Sequence, residues 1–234
     1  MAGSLRIVRP PASAPPATTL AVFDLDRTLV PGSSLARLAR ALAEAKVVRR
    51  KELAGHLVRE AFFAARGMGP AAIDRLRVSL LQAATGLELG PLVEIANRIG
   101  PAIAAEVYPG ARWLLDRHRT DGDEVVLLSS SPHQLVAAVA TAIDPRIIPV
   151  GTLLEVDDGR LTGQLEGSFC HGWGKLVRLE ESLGWRDLTC ATAYADSATD
   201  LPVLRTCGTA VAVNPDRVLR ATAATAGWPI LDLS

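Results

Sequence analysis

Leu20-Ala-Val-Phe-Asp24-Leu-Asp-Arg-Thr28 is the stretch on which the reading of this chain turns. Four apolar residues end at a carboxylate, the pattern of a buried strand delivering an acid at its C-terminal end. Asp24 and Asp26 are two residues apart, so an extended backbone puts them on the same side. Burying such a pair is costly unless a counter-charge or a metal matches it. A lone Asp-x-Asp also occurs in solvated loops, so its meaning depends on what the rest of the chain supplies.

Upstream, residues 1–19 carry Arg6 and Arg9 and then Pro10, Pro11, Pro15 and Pro16. The prolines interrupt the continuous apolar region a signal peptide needs, and the segment reads as a disordered Pro/Ala-rich tail. Downstream, from Ser34 to about Glu106, Ala, Leu and Arg recur at helical spacing, as in Leu35, Leu38, Ala39 and Leu42. Gly67-Met-Gly-Pro70, Gly90-Pro91 and Gly100-Pro101 break the pattern, so this is an inserted unit of three to five helices with no strand.

Strand signals return at Glu124–Leu128, ending at Ser129-Ser-Ser-Pro132, and a helix follows to about Ile143. Runs 151–156 and 160–165 flank Asp157-Asp-Gly159, a hairpin signature. A helix over 174–183 stops at Gly184, a strand over 188–194 leads to Asp196, and short strands at 209–213 and 229–231 flank a helix at 216–226. Alternating strands and helices predict an α/β fold with a parallel sheet, helices on both faces and the chemistry beyond the carboxyl ends of the strands. Asp24, Ser129 and Asp196 all fall at such ends.

Composition narrows the function. The 234 residues balance 25 basic against 25 acidic side chains, which argues against a nucleic-acid-binding face. With 49% hydrophobic and 21% charged residues the bulk of the chain is expected to fold as a soluble globular protein. No apolar run approaches the roughly 18–20 residues of a membrane span. Cys170, Cys190 and Cys207 form no Cys-x-x-Cys pair, and the four histidines never fall at metal-ligand spacing. A reducing, cytoplasmic setting is expected.

Asp196 and Asp200 form a second acidic pair at a strand end. Helix capping before Leu201-Pro202 accounts for Asp200 but leaves Asp196 unexplained. Acids converging from two strand ends would repel one another, and a hard divalent cation with oxygen ligands resolves the conflict; Mg²⁺ fits better than zinc. Ser131 before Pro132 reads as a helix N-cap, with Ser129 left to donate to an anion. Lys175 opens a helix against the macrodipole, in a chain whose other lysines are only Lys46 and Lys51. A compact cation there suits phosphate.

In this order the residues resemble the haloacid dehalogenase superfamily of phosphohydrolases. Its four motifs match Asp24-Leu-Asp-Arg-Thr28, Ser129, Lys175 and Asp196-Ser-Ala-Thr-Asp200. Val107-Tyr-Pro-Gly110, the Asp157–Gly163 hairpin and Val213-Asn-Pro-Asp216 are similar to the phosphoserine-phosphatase-like subfamily. The resemblance implies a Rossmann-like core from 20–32 and 107–234 and an all-helical cap at 33–106. It implies Asp24 as nucleophile through an aspartyl-phosphate, Asp26 as general acid and base, and Mg²⁺ on Asp24, the Asp26 carbonyl and Asp196. Asp200 would orient Lys175 or the metal shell, while Ser129, Ser130 and Lys175 would hold the phosphoryl oxygens of a small phosphate ester.

Three departures bear on the substrate. Members specific for phosphoserine carry a glutamate nine residues after the nucleophile, where this chain has Ser33, and their carboxylate-binding arginine is matched loosely by Arg77. Arg27 stands where small residues are frequent, with no role evident from sequence. Phe62, Phe63 and Met68 could line a pocket for a lipid or prenyl phosphate, but such residues are more often simply helix-packing core. A Mg²⁺-dependent phosphomonoesterase is the reading. Phosphoserine phosphatase proper, a phosphomutase, a dehalogenase and a non-catalytic binding protein are its competitors; Asp26 and the second acidic pair count against a dehalogenase.

Overall fold

β1 (Leu20–Phe23) is an inner strand of a six-stranded sheet in the computed structural model, which describes residues 19–47 and 70–233. Its neighbours are β2 (Glu124–Pro132) and β6 (Thr192–Ala195), both parallel to it. β3 (Ile148–Thr152) extends the sheet beyond β2, while β7 (Thr209–Val213) and β8 (Ile230–Leu231) extend it beyond β6. The chain therefore leaves β1 toward one edge and later returns to its other side. In such sheets the crevice at this switch point, beyond the strand ends, is where ligands bind.

Side chains alternate between the two faces as a pleated strand requires. Ala21 and Phe23, Val125 and Leu127, Tyr194, and Val211 and Val213 pack into one apolar layer. Leu20 and Val22, Val126 and Leu128, Ala193 and Ala195, and Ala210 and Ala212 pack into the other. Such near-continuous apolar runs belong to strands buried on both faces. Helices α1 (Ser34–Glu44), α3 (Leu89–Ala105), α4 (Pro109–Asp121) and α5 (His133–Ile143) contribute to the first layer. Helices α6 (Trp173–Leu183), α7 (Leu201–Thr206) and α8 (Arg217–Ala226) contribute to the second.

The described helices of the inserted unit are α1, α2 (Pro70–Ala84) and α3. α3 lies along α5 so closely that a Cβ on Gly100 would stand 2.8 Å from the Ala138 Cβ. The segment after α2 is stitched to a two-stranded hairpin, β4 (Leu154–Asp157) and β5 (Arg160–Leu165). The Gly86 N–H donates to the Leu161 carbonyl and the Leu161 N–H to the Leu87 carbonyl, each at 2.8 Å, and Arg160 pairs with Glu88 at 2.6 Å. Phe62, Phe63 and Met68 lie outside the described residues, as does the tail through residue 18.

Local boundaries differ from the sequence reading for physical reasons. β2 runs on to Pro132, paired with Thr152 of β3, so α5 begins at His133 without a side-chain cap. Ser131 is not that cap: its hydroxyl meets the Ser34 hydroxyl at 2.8 Å, joining β2 to α1. Gly151 and Thr152 belong to β3, and the hairpin starts only at Leu154. Its turn is Asp158-Gly159, both at positive φ as a type I′ turn requires. The strand expected from Leu188 starts with a 3₁₀ turn, Leu188–Cys190, and becomes extended at Thr192.

A buried polar chain ties α4 to the centre of the sheet. His118 Nδ1 meets the Asp123 carboxylate at 2.6 Å, its Nε2 meets the Tyr194 hydroxyl at 2.7 Å, and Thr19 donates to the same carboxylate. Tyr194 stacks on Phe23 with ring centroids 4.3 Å apart. Burial alone would raise the Asp123 carboxyl, but hydrogen bonds from His118 and Thr19, with the His118 charge, hold it below the ordinary aspartate range. A carboxyl so depressed contributes stability above its unfolded value near 3.8 and loses it as pH falls through the folded value. Asp123→Asn should therefore cost about 1–3 kcal/mol in urea unfolding at pH 7. The deficit against wild type should shrink on acidification below about pH 4; a deficit that does not change with pH would show that the charge contributes nothing.

Candidate active site

Asp24 leaves the end of β1 with its N–H bonded to the Tyr194 carbonyl at 3.0 Å, so the sheet itself fixes the backbone from which the carboxylate projects. Lys175 Nζ lies 2.7 Å from Asp24 Oδ1 and 2.7 Å from Asp200 Oδ1. Thr28, fully buried, donates to Asp24 Oδ2 at 3.2 Å. Asp196, at the end of β6, pairs with Arg27 at 2.6 Å. Asp24, Asp196 and Asp200 each offer an oxygen within 4.8 Å of the others, although the three come from strand ends and turns up to 176 residues apart in sequence.

Each side chain is placed by a local device. Residues 25–30 form a closed turn in which the Leu29 and Val30 N–H groups donate to the Leu25 carbonyl and the Arg27 N–H to the Val30 carbonyl. Arg27 sits at φ 64°, a left-handed conformation uncommon outside glycine. The Asn214 side-chain amide holds it there by donating to the Arg27 carbonyl at 2.8 Å. Asp216 accepts from Ser197 and the Ala198 N–H through one oxygen and from the Leu219 N–H through the other, shaping the turn between Asp196 and Asp200. Asp200 stands at the N-terminus of α7 but makes no side-chain cap bond, its carboxylate being committed to Lys175.

Electrostatics follow from burial. Lys175 is 3% exposed, and desolvation alone would favour losing its proton. Asp200 and Asp24 overcome that and hold the ammonium charged. Burial, reinforced by the Asp24 charge, raises the Asp196 carboxyl against the pull of Arg27. Burial likewise raises Asp200 against the pull of Lys175. Asp26 is half-buried, and its Oδ1 accepts from the Ser34 N–H, the first residue of α1, at 2.8 Å. Burial and the neighbouring Asp24 charge nonetheless push it up to about 6. A cluster that raises carboxyl affinities for protons even with two cations beside it is short of positive charge. Its all-oxygen donor set suits a hard divalent ion such as Mg²⁺, and Asp24, Asp196 and Asp200 are the side chains that could hold one.

Of the residues singled out from sequence, Asp24, Lys175, Asp196 and Asp200 stand together, with Asp26 in the turn after β1 and its carboxylate against the α1 N-terminus. Ser129 is buried at the end of β2, its hydroxyl accepting from the Ser131 N–H at 3.2 Å. Ser130 is half-buried and accepts from Thr152 through its carbonyl. Ser33 caps α1, accepting from the Ala36 N–H at 3.3 Å. Arg77, on α2, lies over the Phe169 ring 5.8 Å from its centroid. Sequence reasoning missed the pairing of Arg27 with Asp196 and the hydroxyl contact of Ser34 with Ser131. Asn214 and Asp216 stand out in the sequence only as flanks; their place just after a strand end was the available signal.

Removing Lys175 would leave two buried carboxylates without their shared cation. Lys175→Met should lower stability by about 3–5 kcal/mol in metal-free buffer. Millimolar Mg²⁺ should recover part of that loss, because a ligand that binds only the folded state stabilises it. Paired urea titrations with and without Mg²⁺ check this, and a variant as stable as wild type would remove the ion pair from the account.

Comparison with known proteins agrees with this geometry. Residues 21–205 match the haloacid dehalogenase-like hydrolase family model. The chain is 36% identical over 223 residues to the phosphoserine phosphatase SerB1 of Mycobacterium tuberculosis, covering 92% of this chain and 71% of that one. It is 31% identical over 220 residues to a histidinol-phosphatase of Neisseria meningitidis, covering 91% and 98%. A solved structure described as a phospho-aspartyl intermediate analogue of phosphoserine phosphatase superposes with a TM-score of 0.58 at 19% identity, covering 93% and 94%, a likeness of fold. The parallel α/β core, the acidic cluster at its switch point and the family match converge: this chain belongs to the haloacid dehalogenase-like hydrolases and is a phosphatase of that family.

Proposed function

We propose that the protein is a Mg²⁺-dependent phosphomonoesterase that works through an aspartyl-phosphate on a small phosphorylated metabolite. The observation that carries this is the shared Lys175 ammonium, which meets Asp24 and Asp200 at 2.7 Å each and so sets a buried cation beside the Asp24 carboxylate just beyond the end of β1. Family membership supports the same route, and a phosphatase of the same fold has been captured as a phospho-aspartyl analogue.

In this reading an Asp24 carboxylate oxygen attacks phosphorus while the P–O bond to the alcohol breaks. Asp26 gives its proton to the departing alkoxide. Water then attacks the aspartyl-phosphate, Asp26 takes a proton from that water, and phosphate leaves with Asp24 regenerated. A carboxyl held near 6 by burial and by Asp24 suits both directions of transfer near neutral pH. Lys175 and the hydroxyl and backbone donors at the end of β2, Ser129 and Ser130, hold the phosphoryl oxygens. Mg²⁺ on Asp24, Asp196 and the Asp26 carbonyl would supply charge neutralisation for carboxylate and phosphate together, with Asp200 orienting Lys175.

The unit over 33–106 is proposed as the cap, working from two anchors. α1 is fixed to the site through Ser34, and α3 is packed along α5. Relatives named for phosphoserine and for histidinol phosphate leave the physiological ester open, and Ser33, spent on capping α1, offers no carboxylate to a substrate ammonium.

Phosphate release from a generic aryl phosphate tests the chemistry. Turnover should require Mg²⁺, stop with EDTA and vanish in Asp24→Asn, whereas a surviving Asp24→Asn activity removes the nucleophile assignment. Asp26→Asn should lower kcat by about 10²–10⁴-fold. The loss should be larger for an alkyl phosphate than for a nitrophenyl phosphate, whose leaving group needs little protonation. Equal losses on both would take Asp26 out of the proton-transfer role.

A further inference from the structure

The turn that carries Lys175 into the site also carries a stack of rings. Phe169-Cys-His-Gly-Trp-Gly-Lys175 holds two of the chain's ten Phe, Trp and Tyr residues and one of its four histidines within seven positions. Short backbone bonds close it: His171 N–H to Phe169 O at 2.7 Å, Gly174 N–H to His171 O at 3.0 Å and Lys175 N–H to Gly172 O at 3.2 Å. A Cβ on Gly174 would stand 1.9 Å from the Phe169 carbonyl oxygen, so only glycine permits the turn. The positions of Phe169 and His171 are thereby tied to that of Lys175.

The Phe169 and His171 rings are stacked, with centroids 5.5 Å apart and planes inclined by 23°. From the inserted unit, the Arg77 guanidinium lies over Phe169. The stack thus joins the helical insertion to the phosphate end of the site. His171 is the member that senses the Lys175 and Asp24 charges. It is half-buried, its ring face against Phe169. Trp173 follows it at 74% exposure. Burial, aided by Lys175, lowers the His171 imidazole and so favours a neutral ring, which stacks without importing a further cation.

We propose that Phe169 and His171, closed from the insertion by Arg77, form the leaving-group subsite and select phosphate esters whose alcohol carries a flat aromatic or heteroaromatic ring a few bonds from the ester oxygen. The proposal rests on the phosphomonoesterase reading and adds the substrate class. The ring of the ester extends the stack beside the imidazole while the phosphate meets Lys175, and Arg77 over Phe169 couples ring binding to the position of α2. Stacking of this kind is worth severalfold in affinity, on the order of 3–10-fold per ring pair.

Two esters matched in their phosphate and primary carbon test it: 2-phenylethyl phosphate and n-butyl phosphate, assayed with Mg²⁺ on the whole chain. Wild type should favour the ring ester by roughly 10-fold in kcat/KM, expressed mainly in KM. Phe169→Leu and His171→Leu, which keep apolar bulk but remove the π face, should each bring the ratio of the two esters toward one. Two independent variants keep the test open should either fail to fold. Equal kcat/KM for both esters in wild type overturns the subsite, as does a variant that slows both esters alike, since the stack would then be only a latch between insertion and core. No turnover of either ester or of an aryl phosphate overturns the phosphatase reading instead.

Discussion

Carboxylates gathered at the ends of neighbouring strands cannot share a water-poor crevice without cations, and the arrangement of this molecule follows from that constraint. Lys175 supplies one charge to Asp24 and Asp200 together, and Arg27 supplies another to Asp196. Both cations are held in unusual backbone. Lys175 follows a turn that only glycine at position 174 permits, and Arg27 occupies left-handed φ space under the grip of Asn214. The parallel sheet brings the acids to one edge, and the irregular turns beyond it bring the charges that make such proximity tolerable. Even so, burial displaces Asp196 and Asp200 toward the protonated form, so the two cations do not fully offset the acids of a cluster that could hold a metal ion.

The fold was readable wherever a pattern is local. Leu20–Phe23 and Thr209–Val213 are short apolar runs, and each is an inner strand with both faces covered. Gly184 stops its helix and Asp158-Gly159 turns its hairpin. The acids Asp24, Asp196 and Asp200 were visible because they follow such runs. Other features depend on partners distant in sequence. Ser131 has the signature of a helix cap, yet a hydroxyl 97 residues away takes its place in the bonding and lets β2 continue. Ser33 drew notice through a comparison of families, and the structure gives it the ordinary duty of capping α1. Arg27 could not be read at all, because its meaning lies in Asp196, 169 positions later.

The inserted helices are less separate from the core than a lid drawn on a map of the sequence suggests. α1 and α3 bury Leu38, Leu42, Leu92, Ile95 and Ile103 in the same apolar layer as Phe23 and Leu127. α1 offers its first N–H to Asp26 and its first hydroxyl to Ser131. Movement of the insertion is thereby mechanically linked to the acid. A displacement of the α1 N-terminus removes the hydrogen bond that counteracts the burial of Asp26, and the readiness of that group to hold a proton changes with it. The hairpin β4–β5, bound to the segment after α2, offers a second handle on the same unit.

The position of β1 also has a consequence in time. Among the described strands it is the first to be synthesised, yet its partners are β2, beginning at Glu124, and β6, beginning at Thr192. At ribosomal rates of about 5–20 residues per second, Leu20–Phe23 waits on the order of five to twenty seconds for one neighbour and half as long again or more for the other. Throughout that interval four apolar residues with unpaired N–H and carbonyl groups on both edges precede the Asp24 carboxylate. The helices of the insertion are made meanwhile and can shelter one face of the strand through α1 and α3. The acidic cluster, by contrast, can assemble only once Asp196 and Asp200 have been made. A nascent chain of this protein therefore leaves unpaired, for the whole of that interval, the strand whose end fixes the Asp24 backbone.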